Sequence, residues 1–561
     1  MQTNAAQRYL WVGVLLLPTF AASVVGFVSA QTSGETPQGG NSPAPISGPA
    51  LELNATSCPS DATDNEHAYS GWQNCDFCHG RSDDRPLEED LRQDILVASL
   101  NESTIWRHKD KHELAARVLL PDEEQQNLAY HMQQALGVDR YNELVANDCQ
   151  ACHVAGEPDI ENVAAKSGDG PNLKHQFGVT CEACHGPAKD WVHDHWEQRK
   201  TWRYKTPAEK ADAGFVNLRD PVTKARKCLS CHLGSVREEK IVTHEMYAAG
   251  HPPLAGFDAA TYSLAMPRHW TPLSERSDEK FDEYKQIHGA SQVHAANTRE
   301  VLLGGLAALA SNLTLLADYA AQPSEHSAWP EFALYDCFAC HHDLQAQSLR
   351  LRSRGGRQAG RPPLRMWPNV VADLALRQTE GPTELTTVLA DVSAALAEQP
   401  FAERDQLRTA AGAAGRLVCQ EIDRLADQLD RSKLPEGDDA KNRERELVVR
   451  VLERIGDVGS NQLHDYDSAR QLVWAFERVF DDYKKLSSAS TNYAAVDQAL
   501  RELKAPSLKF ELISGKQSVG EPGTLAAFLQ ARRAYDPQKF ADGFGRLRDA
   551  MRESVGRKAD L

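Results

Sequence analysis

Five copies of one short pattern, Cys-x-x-Cys-His, are the residues in this 561-residue sequence most suited to chemistry. Two thiols separated by two residues and followed by an imidazole can attach a porphyrin and bind its iron. Ten of the twelve cysteines belong to these copies. The copies are CDFCH at 75–79, CQACH at 149–153, CEACH at 181–185, CLSCH at 228–232 and CFACH at 337–341.

The spacing within the motif has a mechanical reason. On a helix the two cysteines lie about one turn apart, so both can bond to the same haem while the next residue reaches its iron. We therefore predict five c-type haems as cofactors. The predicted attachment residues are Cys75, Cys78, Cys149, Cys152, Cys181, Cys184, Cys228, Cys231, Cys337 and Cys340. The predicted proximal iron ligands are His79, His153, His185, His232 and His341.

Three other uses of the pattern fit less well. A structural zinc site takes four ligands and would consume the motifs in pairs, whereas there are five. A redox dithiol does not need the histidine. Disulfides are compatible with export, but Cys-x-x-Cys loops are short. The two cysteines outside the motifs, Cys58 and Cys419, could form a disulfide, or Cys419 could be a small core residue.

The first thirty residues have the features of an export signal. Arg8 precedes an apolar stretch that ends in the small-residue site Val28-Ser29-Ala30. The alternative is an uncleaved segment that tethers the protein to a membrane, since residues 9–30 approach spanning length. Residues 31–63 are rich in Gly, Ser, Pro and Thr and predict a flexible leader. We expect a periplasmic or otherwise exported protein.

The charge balance bears on partners. The formal net charge is −17, which gives no electrostatic support to nucleic-acid binding. We expect redox proteins as electron donor and acceptor.

Histidines are numerous enough to supply second axial ligands. Fifteen of the twenty lie outside the motifs, and fourteen of these occur between His67 and His342. Methionine, the other common axial ligand, occurs only six times. Distal histidine ligation is therefore the expectation for the group.

Three stretches resemble the multihaem cytochrome c-554 family, which is related in haem arrangement to hydroxylamine oxidoreductase. They are IWRHKDKHELAARVL at 105–119, GVTCEACHGPAKDWVHDH at 178–195 and HEMYAAGHPPL at 244–254. The resemblance covers roughly residues 64–345, about half of the chain.

The resemblance implies distal ligands. It indicates His112 as a distal ligand, without a particular haem. It also indicates His193 as the distal ligand of the haem on His79, and His251, which we assign to the haem on His232. His195 competes with His193 for its role. In this family a haem like the one on His153 can lack a distal ligand, and such an open iron could bind a small molecule such as nitric oxide.

The fifth motif departs from the four-haem pattern of the family, which supplies no distal ligand for it. His342 follows the proximal His341 directly and cannot easily reach the opposite face of the same haem. The unranked candidates for this site are His269, His288, His294 and His326. Further candidate ligands in the chain are His67, His175 and His244.

The fold is predicted to be mainly α. A pentahaem cytochrome c domain of short helices and long loops, residues 64–345, precedes an Arg-, Pro- and Gly-rich linker at 346–369. Residues 370–561 predict a helical bundle, with apolar stripes from Leu447 to Val458 and from Leu472 to Tyr483. Within the first domain, residues 104–120 predict a helix bearing His112. The apolar stretch 296–320 predicts a core helix or helical pair.

Two functions follow from these features. The first is an electron carrier that moves single electrons through five haems. The alternative is a multihaem oxidoreductase that acts on a small nitrogen compound (hydroxylamine, nitric oxide or nitrite) at one five-coordinate haem. The tyrosine cross-link and larger haem number of the related oxidoreductases have no visible counterpart here, which favours the carrier. A protein without redox function would require the motifs to carry no haem.

Overall fold

The computed structural model describes most of the chain beyond residue 66. The described residues are 67–81, 98–156, 177–197, 199–271, 277, 279, 282–283, 295–322, 328–341, 360–379, 383–430, 438–487, 492–504 and 532–556. The chain divides into two units, Met1–Asn54 and Ala55–Leu561, and all described residues lie in the second. The predicted export signal, and the leader as far as residue 63, fall outside the described residues.

The described residues are mainly helical, as predicted, and within them two isolated β-bridges, Ser235 with Lys240 and Tyr335 with Leu364, are the only extended pairing. The motif-bearing part consists of short helices. They are α1 Trp72–His79, α2 Glu102–Lys109, α3 Leu128–Leu136, α4 Val138–Leu144, α5 Gln150–His153, α6 Cys181–His185, α7 Val192–Glu197, α8 Arg199–Tyr204, α9 Pro207–Ala211, α10 Pro221–His232, α11 His244–Ala249 and α12 Ala259–Ala265.

The predicted single helix over 104–120 is wrong in its extent. Helix α2 ends at Lys109, and two 3₁₀ turns, Lys111–Leu114 and Arg117–Leu119, follow it. The break lies at Asp110, whose extended backbone is stabilised because its side chain accepts a hydrogen bond from the His112 backbone N–H. A short acidic side chain that binds its own downstream backbone competes with helix continuation in this way.

Longer helices form the second part. They are α13 Ala296–Ala321, α14 Trp367–Thr379, α15 Thr383–Glu398, α16 Arg404–Gln428, α17 Asp438–Asn461, α18 Tyr466–Leu486, α19 Ala494–Lys504 and α20 Pro537–Gly556. The predicted apolar stripes are confirmed, because Val451 and Ile455 on α17 and Phe476 and Tyr483 on α18 are fully buried.

One hydrophobic core joins the two parts. It runs from Val222 and Leu229 on α10, through the leucines of α13, to Phe476 on α18 and Met551 on α20. A smaller second cluster lies under the second motif and includes Tyr141. The motif-bearing helix α10 thus packs directly into the bundle, while the predicted domain boundaries stay predictions.

Helix α13 is the central helix of the large core. Among the described residues it is the helix long and apolar enough to cross a membrane, yet 72% of its most apolar window is buried inside the protein. Its first turn is capped from the bundle, because Asp482 accepts hydrogen bonds from the Thr298 backbone and hydroxyl. These contacts agree with the predicted core packing.

Candidate haem sites

Four of the five motifs lie on helical backbone, as their chemistry requires. Helices α1, α6 and α10 each contain a whole Cys-x-x-Cys-His set, and α5 carries the second motif after a π-helical turn, Val145–Cys149. The fifth motif occupies a 3₁₀ turn, Cys337–Ala339, and the His341 backbone N–H donates to the Cys337 carbonyl at 2.8 Å. None of the ten motif cysteines forms a disulfide, whereas Cys419 does.

Four of the motif histidines face a second histidine at nearly constant separation. The ring centroids lie 6.4 Å apart for His79 and His195, 6.3 Å for His232 and His112, 6.5 Å for His153 and His251, and 6.2 Å for His341 and His244. The interplanar angles are 15°, 90°, 89° and 22° in the same order. The separation of the rings is nearly constant, while the angle between their planes varies.

This separation fits an iron between two imidazoles. A metal–nitrogen bond of about 2.0 Å on each side, plus ~1.2 Å from each nitrogen to its ring centre, gives about 6.4 Å. Within the described residues, no group of three or more His, Cys, Asp or Glu side chains could hold a metal ion by itself. The residues present therefore fit c-type haem: the thiols would attach the porphyrin, and each histidine pair would bind one iron.

The hydrogen bonds of the rings indicate that the same nitrogen atom, Nε2, would bind the iron in each histidine. The Nδ1 atom of His79 lies 2.8 Å from the Glu102 carboxylate, and that of His112 lies 3.0 Å from Asp110. Nδ1 also contacts a backbone carbonyl in His153, His195 and His251, at 2.9, 2.6 and 2.8 Å. Metal-binding histidines commonly donate their other ring N–H in this way, which leaves Nε2 for the metal.

The pKa values of the rings favour the neutral, metal-binding form at three positions. Burial lowers the pKa of His185, His232 and His251 to about 4. After burial, the next largest causes of the lowered pKa of His185 are the charges of His269 and His79, so both histidines lie near the third motif. The Nδ1 atom of His269 lies 3.2 Å from the Pro267 carbonyl, as in the other candidate ligands.

The first site differs from the sequence prediction in one residue. His195, not His193, faces His79, and the His193 side chain is exposed. The reason lies in the helical period, because residues two apart on α7 point to nearly opposite sides. His195 follows the buried Trp191 by four residues and contacts its ring at 5.3 Å, so the structure favours His195.

The second and fourth sites have partners that differ from the sequence expectation. His251, which we assigned to His232, faces His153 instead, and His112 faces His232. The turn after α11 explains why His251 faces His153. The His251 backbone N–H donates to the Met246 carbonyl, and this hydrogen bond turns the chain back. His153, whose haem could be open according to the family resemblance, thus faces a second histidine.

The remaining candidate histidines fall into two groups. His67 binds the Asp190 carboxylate through Nδ1 at 2.8 Å, which gives it a partner other than a motif histidine. The others lie outside the described residues; they are His175, His288, His294, His326 and His342.

The motifs also contact one another. The side chains of Cys75 and Cys181 are neighbours, as are those of Cys152 and Cys231, so the first motif adjoins the third and the second adjoins the fourth. Cys184 and Cys228 also lie near each other, which places the third motif beside the fourth. Four sites thus form one continuous series: first, third, fourth, second.

Glu182, inside the third motif, fixes one of these contacts. Its buried carboxylate accepts hydrogen bonds from the backbone N–H groups of Ser70, Gly71 and Ala188, at 2.8, 2.6 and 2.6 Å. Ser70 and Gly71 immediately precede α1, so a side chain of the third motif holds the helix of the first. No role was predicted for Glu182 from the sequence.

Two further residues were missed by sequence reasoning. Glu102 and Asp110 hold the rings of His79 and His112. Asp110 had a signal, since it stands two residues before His112 in Asp-Lys-His. Glu102 had none, because 23 residues separate it from His79.

A family model described as cytochrome c554 and c-prime matches residues 100–186. This segment belongs to the cytochrome c-554 family. The predicted family is confirmed, over a shorter stretch than the expected 64–345. The cytochrome c-554 segment contains the second and third motifs together with His112, and it implies a c-type cytochrome with c-type haem and an electron-transfer role. No curated protein and no solved structure matches the chain.

Proposed function

We propose that this protein is an exported c-type cytochrome that transfers single electrons through five covalently attached haems, each held by two histidines. The cytochrome c-554 segment supports the haem type, and five motifs support the number. A c-type haem supplies one-electron redox chemistry at its iron. The protein contributes attachment, spacing and tuning.

The observation that carries this proposal is the approach of His251 to His153. Their ring centroids are 6.5 Å apart, which leaves room for one iron and none for a substrate beside it. This is the site where the family resemblance allowed an open iron. Histidines on both sides favour a carrier over an oxidoreductase, which needs a free coordination position.

The chain's own residues would tune the sites differently. The carboxylates of Glu102 and Asp110 bind the rings of His79 and His112, whereas backbone carbonyls bind His153 and His251. A carboxylate partner makes an imidazole a stronger donor than a carbonyl does, and second-shell partners of this kind shift reduction potential. We therefore propose lower reduction potentials for the haems whose histidine ligands are hydrogen-bonded to carboxylates.

Export is supported by two features outside the haem sites. The N-terminal apolar stretch behind Arg8 has the pattern of a signal. Cys419 is disulfide-bonded, and disulfides persist in oxidising compartments.

The partners we propose are a redox donor and a redox acceptor protein, not nucleic acid, which the net charge of −17 would repel.

The test uses the haem-loaded protein. Mass spectrometry should find five haems, and electron paramagnetic resonance of the oxidised protein should be wholly low-spin and unchanged by nitric oxide or hydroxylamine. His251→Ala should create one high-spin haem that binds nitric oxide. His108→Ala, at an exposed histidine on α2, should not.

Two outcomes would contradict the proposal. A high-spin signal in the wild-type protein that shifts with hydroxylamine would support the alternative, a multihaem oxidoreductase acting on a small nitrogen compound. A mass without added haem would indicate a protein that has no redox function.

A further inference from the structure

The fifth motif lies outside residues 100–186, and the four-haem pattern supplies no distal ligand for it. In the structure, the ring of His341 stands 6.2 Å from that of His244, with an interplanar angle of 22°. The pair His79 and His195 has nearly the same geometry, 6.4 Å and 15°. The fifth site therefore has the same two-histidine form as the first, second and fourth sites.

A buried carboxylate sets this geometry. Glu331 is 6% exposed, and its Oε1 accepts hydrogen bonds from the backbone N–H groups of His244 and Ala333, both at 2.8 Å. Ala333 lies in the 3₁₀ turn Phe332–Leu334, which precedes the fifth motif by two residues. One side chain thus ties the start of α11 to the segment that delivers the motif.

The same segment is fastened to the helical bundle. The Tyr335 hydroxyl donates to the Phe401 carbonyl at 2.6 Å, and the Asp336 backbone N–H donates to the Pro363 carbonyl at 2.9 Å. The Phe332 ring meets His244 edge-on at 5.5 Å. The segment that carries the motif is thus anchored to the bundle in addition to its contact with Glu331.

Helix α11 also joins the fifth site to the second. It begins with His244 and ends two residues before His251, which faces His153. Tyr247, between the two histidines, has its ring 5.9 Å from that of His251. The fifth site therefore adjoins the second and extends the series of four.

We propose that His244 is the distal axial ligand of the haem attached to Cys337 and Cys340, and that Glu331 is the positioning residue that holds it opposite His341. The proposal rests on the proposed haem attachment. It adds a ligand, a positioning residue and the order first, third, fourth, second, fifth for the five sites.

The direct test is His244→Ala in the full-length protein with its haems. With five haems still attached by mass, one haem should become high-spin, the reduced protein should bind one equivalent of carbon monoxide, and added imidazole should restore the low-spin spectrum. His108→Ala is the matched control and should retain the wild-type spectrum. A wholly low-spin His244→Ala protein with five haems would overturn the assignment.

The positioning role has its own readout. Glu331→Ala should give a partial high-spin signal from the same haem, because the start of α11 loses its anchor. Glu331→Gln keeps a side-chain oxygen as acceptor and should restore the low-spin spectrum. Equal spectra for both variants and the wild type would contradict the positioning role.

If His244→Ala loses the fifth haem, His244→Met decides the question. Methionine keeps a ligand and raises the potential of a haem iron. A potentiometric titration in which one haem moves to a higher potential supports the assignment, and five unchanged potentials overturn it. Fewer than five haems in the wild-type protein would instead refute the proposed function.

Discussion

The imidazole rings of His79 and His195 lie 6.4 Å apart and 15° from parallel. Each ring is held from behind, His79 by the Glu102 carboxylate and His195 by the Val192 carbonyl. Both Nδ1 atoms are thereby occupied and both rings keep Nε2 for an iron. The first site is thus pre-organised from two segments more than one hundred residues apart.

This arrangement predicts a sharp difference between two neighbouring histidines. His195→Ala should convert one haem to high spin in the electron paramagnetic resonance spectrum, because His79 loses its facing ligand. His193→Ala, at an exposed position on the same helix, serves as the control and should leave all haems low-spin. The opposite result would return the role to His193.

Removing the charge behind His79 should change a potential. Glu102→Gln keeps an oxygen near Nδ1 but lacks the negative charge that makes the imidazole a strong donor. We expect one haem to titrate at a higher potential in spectroelectrochemistry, since a weaker donor stabilises the oxidised iron less. Glu123→Gln makes the same charge change at an exposed position and should leave the titration unchanged. Identical curves for all three proteins would contradict this tuning role.

Glu182 should matter for stability. Glu182→Ala leaves the backbone N–H groups of Ser70, Gly71 and Ala188 without their acceptor, at a cost of roughly 2–5 kcal/mol in the free energy of unfolding. Glu182→Gln retains one acceptor oxygen and should lose less. Thermal unfolding of the haem-loaded proteins measures the difference. Equal melting temperatures for wild type and Glu182→Ala would show that these hydrogen bonds do not stabilise the fold.

The stability should also depend on pH through Asp258, the N-cap of α12. Burial, reinforced by the charge of Glu300, raises the pKa of Asp258 to about 7, far above its ordinary value of 3.8. The folded state therefore binds a proton that the unfolded state releases, and its stabilisation, complete below pH 4, is lost as the pH rises to 7. The stability of the Asp258→Asn protein should depend less on pH across this range, and this protein should be more stable than wild type at pH 8.

Melting temperatures at pH 5 and pH 8 test this expectation. Asp439→Asn, an exposed carboxyl on α17, controls for the change in net charge. A wild-type and an Asp258→Asn protein with parallel pH profiles would show that Asp258 does not carry the dependence.

The features predicted well from the sequence are those encoded locally. The five motifs needed only five consecutive residues each, and the buried stripes of α17 and α18 followed from a period of 3.6. The helical period overestimated the length of α2, because a single side-chain contact of Asp110 ends the helix there. Local capping of this kind competes with a weak helical pattern on nearly equal terms.

The pairing of histidines could not be predicted in the same way. His112 and His232 are 120 residues apart in the sequence, and nothing in either neighbourhood specifies the other. Even where the family suggested a ligand, the choice between His193 and His195 depended on which side of α7 is buried against Trp191. Tertiary packing decides these contacts, and a single sequence carries no record of it.

The shared core has a consequence for how the protein is assembled. Leu229, within the fourth motif, is buried in the core that contains α13 and Phe476 of the bundle, which follow it along the chain. An enzyme that attaches haem must reach both thiols of the motif, and the folded bundle leaves Cys228 packed against this core. We therefore expect haem attachment at the fourth motif to precede the packing of the C-terminal helices against it.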